Sequence, residues 1–184
     1  MIDLDDFIMV VRFLVRCAYD PYYEHHVDNE LNNSPHLQKL VSTVKLFHSE
    51  RLNALAKLRR TCPRNYFLDE LFEIKRVRSF QSVPEGAVCA FSGQPIRAGL
   101  TLVLLNKTTL KETVRCIGAH HQKDVYHFYE LCHFHSIILS KLRRPIPAFV
   151  DPRKWSEECC NDTGKIKLLF LKYRTHIQHL ESKS

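Results

Sequence analysis

Apolar residues recur at helical spacing through the N-terminal part of the chain. Intervals of three and four residues over 4–18 are typical of one face of an amphipathic helix. The apolar positions of that face are Leu4, Phe7, Ile8, Val11, Leu14, Val15 and Ala18. A second helix is predicted to begin at Ser34 and Pro35, a capping residue followed by proline in the first turn. It continues to about Arg60 and ends before Pro63, because proline disfavours helix in the residue that precedes it.

The next part of the chain changes from helical to strand-like patterning. A third helix is predicted over 66–78, where Asn65 can cap the first turn and apolar residues again follow helical spacing. After residue 81, glycines and prolines separate short apolar runs. The runs TLVLL (101–105) and ETVRCI (112–117) predict the two strands of a β-hairpin, joined by the polar turn NKTTLK.

Helical spacing returns after the hairpin. One helix is predicted to begin between Asp124 and Glu130 and to run to about Leu142. A closing helix is predicted over 165–180, although its first half also alternates as a strand would. The elements together predict an α+β fold, mainly helical, with a small β-hairpin module packed on helices. One compact domain would contain three consecutive parts: a helical part at 1–80, a hairpin-plus-helix module at 81–144, and a loop with the C-terminal helix at 145–184.

Length and cysteine content narrow the class of protein. No apolar run reaches the roughly 18 residues that a membrane span requires. The start of the chain has neither the basic region nor the small-residue cleavage site of a secretory signal. Seven irregularly spaced cysteines favour buried thiols or metal ligands in a reducing compartment over a disulfide framework. We therefore expect an intracellular protein that does not associate with a membrane.

The formal charge of +7 is unevenly distributed. Residues 1–36 contain two basic and seven acidic side chains, whereas residues 37–80 contain ten basic and four acidic ones. An acidic segment on a basic body suits contact with a polyanion, or docking of one part on the other. Basic side chains near a helix end are favoured by the helix dipole without any further function. The functional interpretation of such a basic cluster is contact with DNA or RNA phosphates. Three basic clusters lie at or near predicted helix ends: Lys57, Arg59, Arg60 and Arg64; Lys75, Arg76 and Arg78; Lys141, Arg143 and Arg144.

The stretch VCAFSGQPI (88–96) looks like one half of a zinc knuckle. A knuckle usually has two cysteines separated by two residues and followed by glycine, but here Cys89 is followed by Ser92 and then Gly93. Cys132 and His135 lie three residues apart, so they would share one helix face. Structural zinc takes four nitrogen or sulfur ligands, for which a serine hydroxyl is a poor substitute. The fourth ligand would be Cys116, with His120, His121 and His127 as alternatives.

A site without metal explains the same residues. Cys132 and His135 also fit the apolar stripe of the predicted helix, as a small buried hydrophobe and a hydrogen-bonded core residue. Signatures of zinc hydrolases, zinc deaminases, P-loop proteins and serine hydrolases are absent from the sequence. Cys132 with His133 or His135 could be drawn as a nucleophile and base, but neighbours on one helix rarely have the reach and alignment that such a pair requires. We therefore expect no catalytic activity.

Three resemblances follow from these residues. The order of knuckle, hairpin and helix over 86–142 resembles a treble-clef zinc module, which implies a structural zinc ion held by the knuckle and the first turn of the helix. The same degenerate arrangement is similar to RING and U-box modules, which bind protein partners such as ubiquitin-conjugating enzymes. The small basic chain, with CHFH at 132–135 and NELNN at 29–33, resembles the auxiliary late expression factors of baculovirus-like insect DNA viruses. That resemblance implies a non-enzymatic helper of transcription or replication in the nucleus of an infected cell.

We therefore predict a non-enzymatic, zinc-stabilised basic accessory factor in nucleic-acid processes. It would act in the host nucleus if the chain is viral, and otherwise in the nucleus or cytoplasm. The alternative is a protein–protein adaptor, RING-like or dimeric, that does not bind nucleic acid. Its face for a protein partner or a second copy would be the acidic first helix, through Phe7, Val11 and Leu14.

Overall fold

The computed structural model describes residues 1–145 and 150–183, and these residues form a mainly helical α+β fold, which confirms the predicted class. None of the described helices is both long enough and apolar enough to span a membrane. In chain order the elements are α1 (Leu4–Tyr19), α2 (Tyr23–Glu30), α3 (Pro35–Thr61), α4 (Asn65–Phe72), β1 (Ile74–Phe80), β2 (Gly99–Asn106), β3 (Glu112–Gly118), α5 (Gln122–Cys132), α6 (Phe134–Leu142), α7 (Pro152–Cys159) and α8 (Thr163–Glu181).

Contacts within the chain define two compact units, each assembled from separate stretches of sequence. The first unit contains Met1–Leu52 and Phe134–Thr175. The second contains Asn53–His133 and the residues from His176 onward. The long helices α3 and α8 supply residues to both units. The units are therefore not the consecutive parts that the sequence suggested.

The first unit is organised around α1, which is confirmed where the apolar spacing predicted it. The carboxylate of Asp3 caps this helix by accepting a hydrogen bond from the Asp6 amide at 2.8 Å. Within the unit, α1 packs on α6 and α7. Phe7 lies at the centre of an aromatic cluster, with its ring centroid 5.7 Å from that of Tyr173 and 6.2 Å from that of Phe47. Full burial of such a ring contributes about 1.5–3 kcal/mol, so this cluster is a main source of the unit's stability.

The second unit contains a three-stranded antiparallel sheet in the order β1-β2-β3. The hairpin of β2 and β3 is confirmed, and its turn is held by Asn106, whose side-chain oxygen accepts from the Thr108 and Thr109 amides at 2.8 and 2.9 Å. Leu102 and Leu104 of β2 are buried on the inner face of the sheet. Also within this unit, α4 packs against α5.

The predicted helix over 66–78 is wrong beyond Phe72. Helix α4 ends there, and the following residues form strand β1, in which Val77 lies opposite Leu104 and Phe80 lies opposite Thr101. Isolated helical spacing favoured one continuous helix, but pairing with β2 satisfies the backbone of these residues and buries Ile74. The basic residues of this segment consequently lie on a strand instead of a helix.

The predicted helix from Asp124–Glu130 to Leu142 is two helices. Helix α5 begins earlier, at Gln122, and ends at Cys132, and α6 begins at Phe134. The ring Nε2 of His133 lies 2.8 Å from the carbonyl oxygen of Leu71, a contact from outside the helix. The closing helix α8 is confirmed as helical throughout. Helix α7 lies in the predicted loop that precedes α8, and residues 146–149 of that loop lie outside the described residues.

Candidate metal site and nucleic-acid interface

The knuckle-like stretch forms the tight turn that its glycine predicts. The amide of Cys89 donates to the carbonyl of Gln94 at 2.9 Å, and the amide of Gly93 donates to the carbonyl of Cys89 at 2.8 Å. Gly93 has a φ of +76°, in the left-handed region where a side chain is strained. A Cβ atom at Gly93 would also lie 2.7 Å from Nε of Arg64. The left-handed backbone therefore favours glycine here, and an added Cβ would also require the flexible Arg64 side chain to move.

The knuckle lies against the end of β3 and gives the Cys89 sulfur several hydrogen-bond donors. The Ala90 amide donates to the Cys116 carbonyl at 2.7 Å, and the Gly118 amide donates to Sγ of Cys89 at 3.3 Å. Burial raises the pKa of the Cys89 thiol, but hydrogen bonds from Gly118 and from the amide and hydroxyl of Ser92 outweigh burial and hold that pKa below its ordinary value. Ser92 thus interacts with this sulfur as a hydrogen-bond partner.

The other predicted ligands lie in different surroundings. Sγ of Cys116 is 3.8 Å from the hydroxyl of Thr101 on the sheet. Helix α5 begins at Gln122, so Cys132 is its last residue and does not lie in its first turn. His135 belongs to the next helix, α6, in the first unit. Across residues 1–145 and 150–183, no three His, Cys, Asp or Glu side chains are arranged to hold a metal ion. Zinc binding by this protein stays a prediction.

The alternative histidine ligands also have contacts of their own. The ring of His121 stacks on Phe91 of the knuckle, with centroids 4.5 Å apart and planes inclined by 23°. His120 is exposed. A thiol that was not among the predicted ligands lies beside the knuckle, since Sγ of Cys62 donates to the Phe91 carbonyl at 3.4 Å. Burial raises the pKa of the Cys62 thiol, which suits a neutral donor.

His127 belongs to a histidine cluster between α5 and the end of α8. Its Nδ1 lies 2.7 Å from Nδ1 of His176, and its ring stacks on that of His179 with centroids 4.0 Å apart. Nε2 of His179 and Nζ of Lys183 each lie 2.8 Å from Oδ1 of Asp124. Sequence reasoning missed His176 and His179, although their spacing of three residues in THIQH places both on one helix face.

The predicted basic clusters differ in how many of their residues contact other groups of the protein. At the end of α3, Lys57 donates to the Glu181 carbonyl at 3.3 Å, Arg59 pairs with Asp69, and Arg60 is exposed. The guanidinium of Arg64 donates to the Tyr66 hydroxyl at 3.2 Å and packs on Gly93. Lys57 and Arg59 therefore each have a partner within the protein, although the Arg59–Asp69 ion pair is about half exposed and is worth only about 0–1 kcal/mol.

The cluster at the end of α6 is organised around Tyr19 of the first unit. The Tyr19 hydroxyl donates to the Arg144 carbonyl at 2.6 Å and accepts from the Arg144 amide at 2.8 Å. The Arg143 guanidinium lies over the Tyr19 ring, 5.7 Å from its centroid. Lys141 is exposed. The side chain of Arg143 and the backbone of Arg144 thus contact Tyr19, while the Arg144 side chain is exposed.

The cluster of Lys75, Arg76 and Arg78 lies on strand β1 with all three residues exposed. Lys75 lies at the register shift between Ile74 and Arg76, whereas Arg76 and Arg78 point to the same side of the sheet. Thr113 and Arg115 of β3 face inward and both contact Glu70 of α4, at 2.8 and 2.9 Å. Because side chains alternate along a strand, the neighbouring positions point to the opposite side, which we call the outer sheet face. Its members are Arg76, Arg78 and Phe80 of β1, Thr101, Val103 and Leu105 of β2, and Glu112, Val114 and Cys116 of β3.

The outer sheet face combines exposed apolar groups with arginine. Phe80 is 51% exposed and Val114 is 57% exposed. Arg76 and Arg78 are exposed, and Nη2 of Arg78 lies 2.5 Å from Oε1 of Glu112. An ion pair between two side chains that are each about half exposed is worth only about 0–1 kcal/mol. Another anion can therefore replace Glu112 beside Arg78.

The predicted partner face on α1 is wrong. Phe7, Val11 and Leu14 are all buried. They form part of the core of the first unit, because the apolar stripe of α1 packs on α6 and α7. A helix whose apolar face is covered in this way cannot present that face to a partner.

Comparison with known proteins adds no assignment. No protein-family model matches the chain, and no curated protein or solved structure matches it either. Since a fold class does not by itself imply a function, the sites described above are the basis for inferring one.

Proposed function

We propose that the protein is a non-enzymatic accessory factor that binds single-stranded DNA or RNA on the outer sheet face. The observation that carries this proposal is the placement of Phe80 on the same open face as Arg76 and Arg78. Antiparallel sheets with exposed aromatic rings recognise unpaired bases by stacking, and cations beside the rings hold the phosphates. The net charge of +7 adds a favourable long-range field.

The geometry suits an extended strand of nucleic acid. Alternate residues on a β-strand are separated by about 6.6 Å, so Arg76, Arg78 and Phe80 form a row along the edge of the sheet. A base stacked on Phe80 would leave its backbone near the arginines. Val103 and Val114 extend the apolar surface across the sheet and offer contact to a neighbouring base. None of these contacts reads a base edge, so the proposed binding has little sequence preference.

Direct binding measurements test the proposal. Anisotropy of a fluorescein-labelled oligothymidine should show binding that weakens with added salt, with a slope of about 0.7 per phosphate contact. The double variant Arg76→Gln/Arg78→Gln should reduce that slope by about 1.4. Phe80→Ala should weaken binding by about 1–3 kcal/mol, whereas Glu112→Gln should strengthen it by removing the competing carboxylate.

The control is Lys154→Gln/Lys167→Gln, which like the arginine variant removes two exposed cations, here from α7 and α8 within the first unit. It should leave both affinity and salt slope nearly unchanged. Binding that is lost equally in this variant and in the arginine variant would show that net charge alone attracts the oligonucleotide. Such a result, or no binding at low salt, would overturn the assignment to the outer sheet face.

Structural zinc is a separate part of the proposal. It is supported by the knuckle turn at Gly93 and by the hydrogen bonds that favour a thiolate at Cys89. Metal analysis of purified protein should find close to one zinc ion per chain, and chelation should lower the melting temperature. A content far below one ion per chain, with melting unchanged by chelation, would remove zinc and leave the nucleic-acid proposal intact.

A further inference from the structure

A small apolar cavity lies between the inner face of the sheet and α5. Its volume is about 140 Å³, and side chains from the three strands, α4 and α5 line it. At the β3 side the wall is closed by Ile117, which is 1% exposed. Two lining residues are exposed: Ser79 of β1, and Tyr126 of α5, which is 49% exposed. The cavity therefore opens along strand β1.

Strand β1 also has a free edge beside that opening. The knuckle covers part of the opposite edge of the sheet, because Cys89 and Ala90 pair with Cys116 of β3. Among the described residues, β1 pairs with β2 alone. An unpaired strand edge presents backbone N–H and C=O groups that can pair with another extended segment. The cavity and the edge are thus adjacent parts of one surface.

We propose that the edge of β1 binds an extended segment of a protein partner in which apolar and acidic residues alternate. The segment would add a fourth strand to the sheet through main-chain hydrogen bonds. Its inward side chains would lie beside Val77 and Ser79 and place one apolar group in the cavity. Its outward side chains would lie beside Arg76 and Arg78, where carboxylates are favoured.

The size of the cavity and the charge of the edge select this occupant. A dry cavity of about 150 Å³ accepts a benzene molecule, so the volume here suits one apolar side chain of that size. A second copy of this chain is disfavoured, because pairing β1 with β1 would bring arginines on adjacent strands close to each other. A nucleic acid offers neither the strand backbone nor the apolar side chain that this surface fits. The partner is therefore an acidic peptide segment.

Model peptides test this inference with the full-length protein. The probe is a short fluorescein-labelled peptide in which glutamate and valine alternate, and its control has the same composition arranged in two blocks. The alternating peptide should bind at least about tenfold more tightly, because only alternation puts valine and glutamate on opposite faces. Binding should also slow hydrogen exchange of β1 amides in the NMR spectrum. Equal affinity for the two peptides would reduce the effect to net charge and overturn the proposal.

Two matched variants locate the site. Ser79→Phe adds a ring at the mouth of the cavity and should weaken binding of the alternating peptide by at least about tenfold. Ser136→Phe adds the same ring at an exposed position of α6 and should leave binding unchanged. Both variants are checked for an unchanged urea midpoint. If Ser79→Phe binds the alternating peptide like the wild-type chain, the peptide does not use the cavity and the proposal is wrong.

Charge exchange gives an independent readout. Arg76→Glu should favour a peptide in which lysine and valine alternate over the glutamate peptide, reversing the wild-type preference. An unchanged preference for the glutamate peptide would contradict the predicted position of its carboxylates. The peptide and nucleic-acid proposals are separable, because Phe80→Ala should abolish oligonucleotide stacking and retain peptide binding, whereas Ser79→Phe should do the opposite.

Discussion

Gly93 and Gly86 form a matched pair for testing how the knuckle is held. Both have a left-handed backbone, with φ of +76° and +73°. A Cβ atom added at Gly86 would meet nothing within 4 Å, whereas one added at Gly93 would lie 2.7 Å from Nε of Arg64. Replacing each glycine with alanine therefore imposes the same backbone strain on both variants. Only Gly93→Ala must also displace a side chain.

The two losses of stability can be worked out from these contacts. A residue with a Cβ in the left-handed region costs about 1–2 kcal/mol. At Gly93 the guanidinium of Arg64 must move away as well, and its hydrogen bond to the Tyr66 hydroxyl is worth about 1 kcal/mol. We expect Gly86→Ala to lower the free energy of unfolding by about 1–2 kcal/mol. Gly93→Ala should lower it by about 2–3 kcal/mol.

Urea denaturation followed by circular dichroism measures these differences. In melting experiments each kcal/mol should correspond to about 2–4 °C for a chain of this size. Arg64→Ala alone loses the same hydrogen bond and should cost about 1 kcal/mol. The double variant Gly93→Ala/Arg64→Ala should therefore be no less stable than Gly93→Ala, giving a coupling of about 1 kcal/mol between the two sites. Equal losses in Gly93→Ala and Gly86→Ala would refute the role of Arg64. A double variant with no coupling would refute it independently.

Three further measurements test other parts of the structure. Burial lowers the pKa of the His127 imidazole, so the unfolded chain binds more protons near the ordinary histidine pKa of about 6.5. The free energy of unfolding, measured by urea titration from mildly acidic to neutral pH, should therefore fall as pH decreases through that value. His127→Gln should flatten this pH dependence. Tyr173→Phe removes a hydroxyl that donates to the Phe47 carbonyl and to Glu50, both at 3.3 Å. The free energy of unfolding in urea should fall by about 1 kcal/mol, and an unchanged value would show that these hydrogen bonds do not stabilise the fold. Burial raises the pKa of the Cys160 thiol to about 11, so little of it is thiolate at mildly alkaline pH. A thiol reagent should therefore label Cys160 much more slowly in the folded than in the unfolded chain, as measured by mass spectrometry of the digested protein.

Local sequence patterns predicted the elements in which the apolar spacing and the capping or turn residues indicate the same structure. Helix α1 has apolar residues at helical spacing behind an acidic capping residue, and α3 begins at proline after a serine. The β2–β3 hairpin alternates around a polar turn, and the glycine at position 93 adopts the left-handed backbone that a knuckle needs. Each of these features depends on residues close together in the chain, so their interactions are already present in the sequence pattern.

The candidate sites were less predictable, because they join residues far apart in sequence. Helical spacing predicts a helix for the basic residues of 75–78, whereas their common face with Phe80 exists only because β1 pairs with β2. His127 was considered as a zinc ligand, whereas its neighbours are His176 and His179 from the end of α8. Periodicity says which side chains share a face of one element, but it does not say which other element packs there.

The sequence alone determined the mainly helical α+β class, the position of the hairpin, the knuckle turn and the basic character of the chain. Tertiary structure decided whether each apolar or charged face is covered. It buried the stripe of α1 that looked available to a partner, ended α5 at Cys132, and exposed Phe80 beside two arginines. The physical reason is that burial and strand pairing are gained only when distant segments meet, and their free energy exceeds the small local preferences of a short segment for helix or strand.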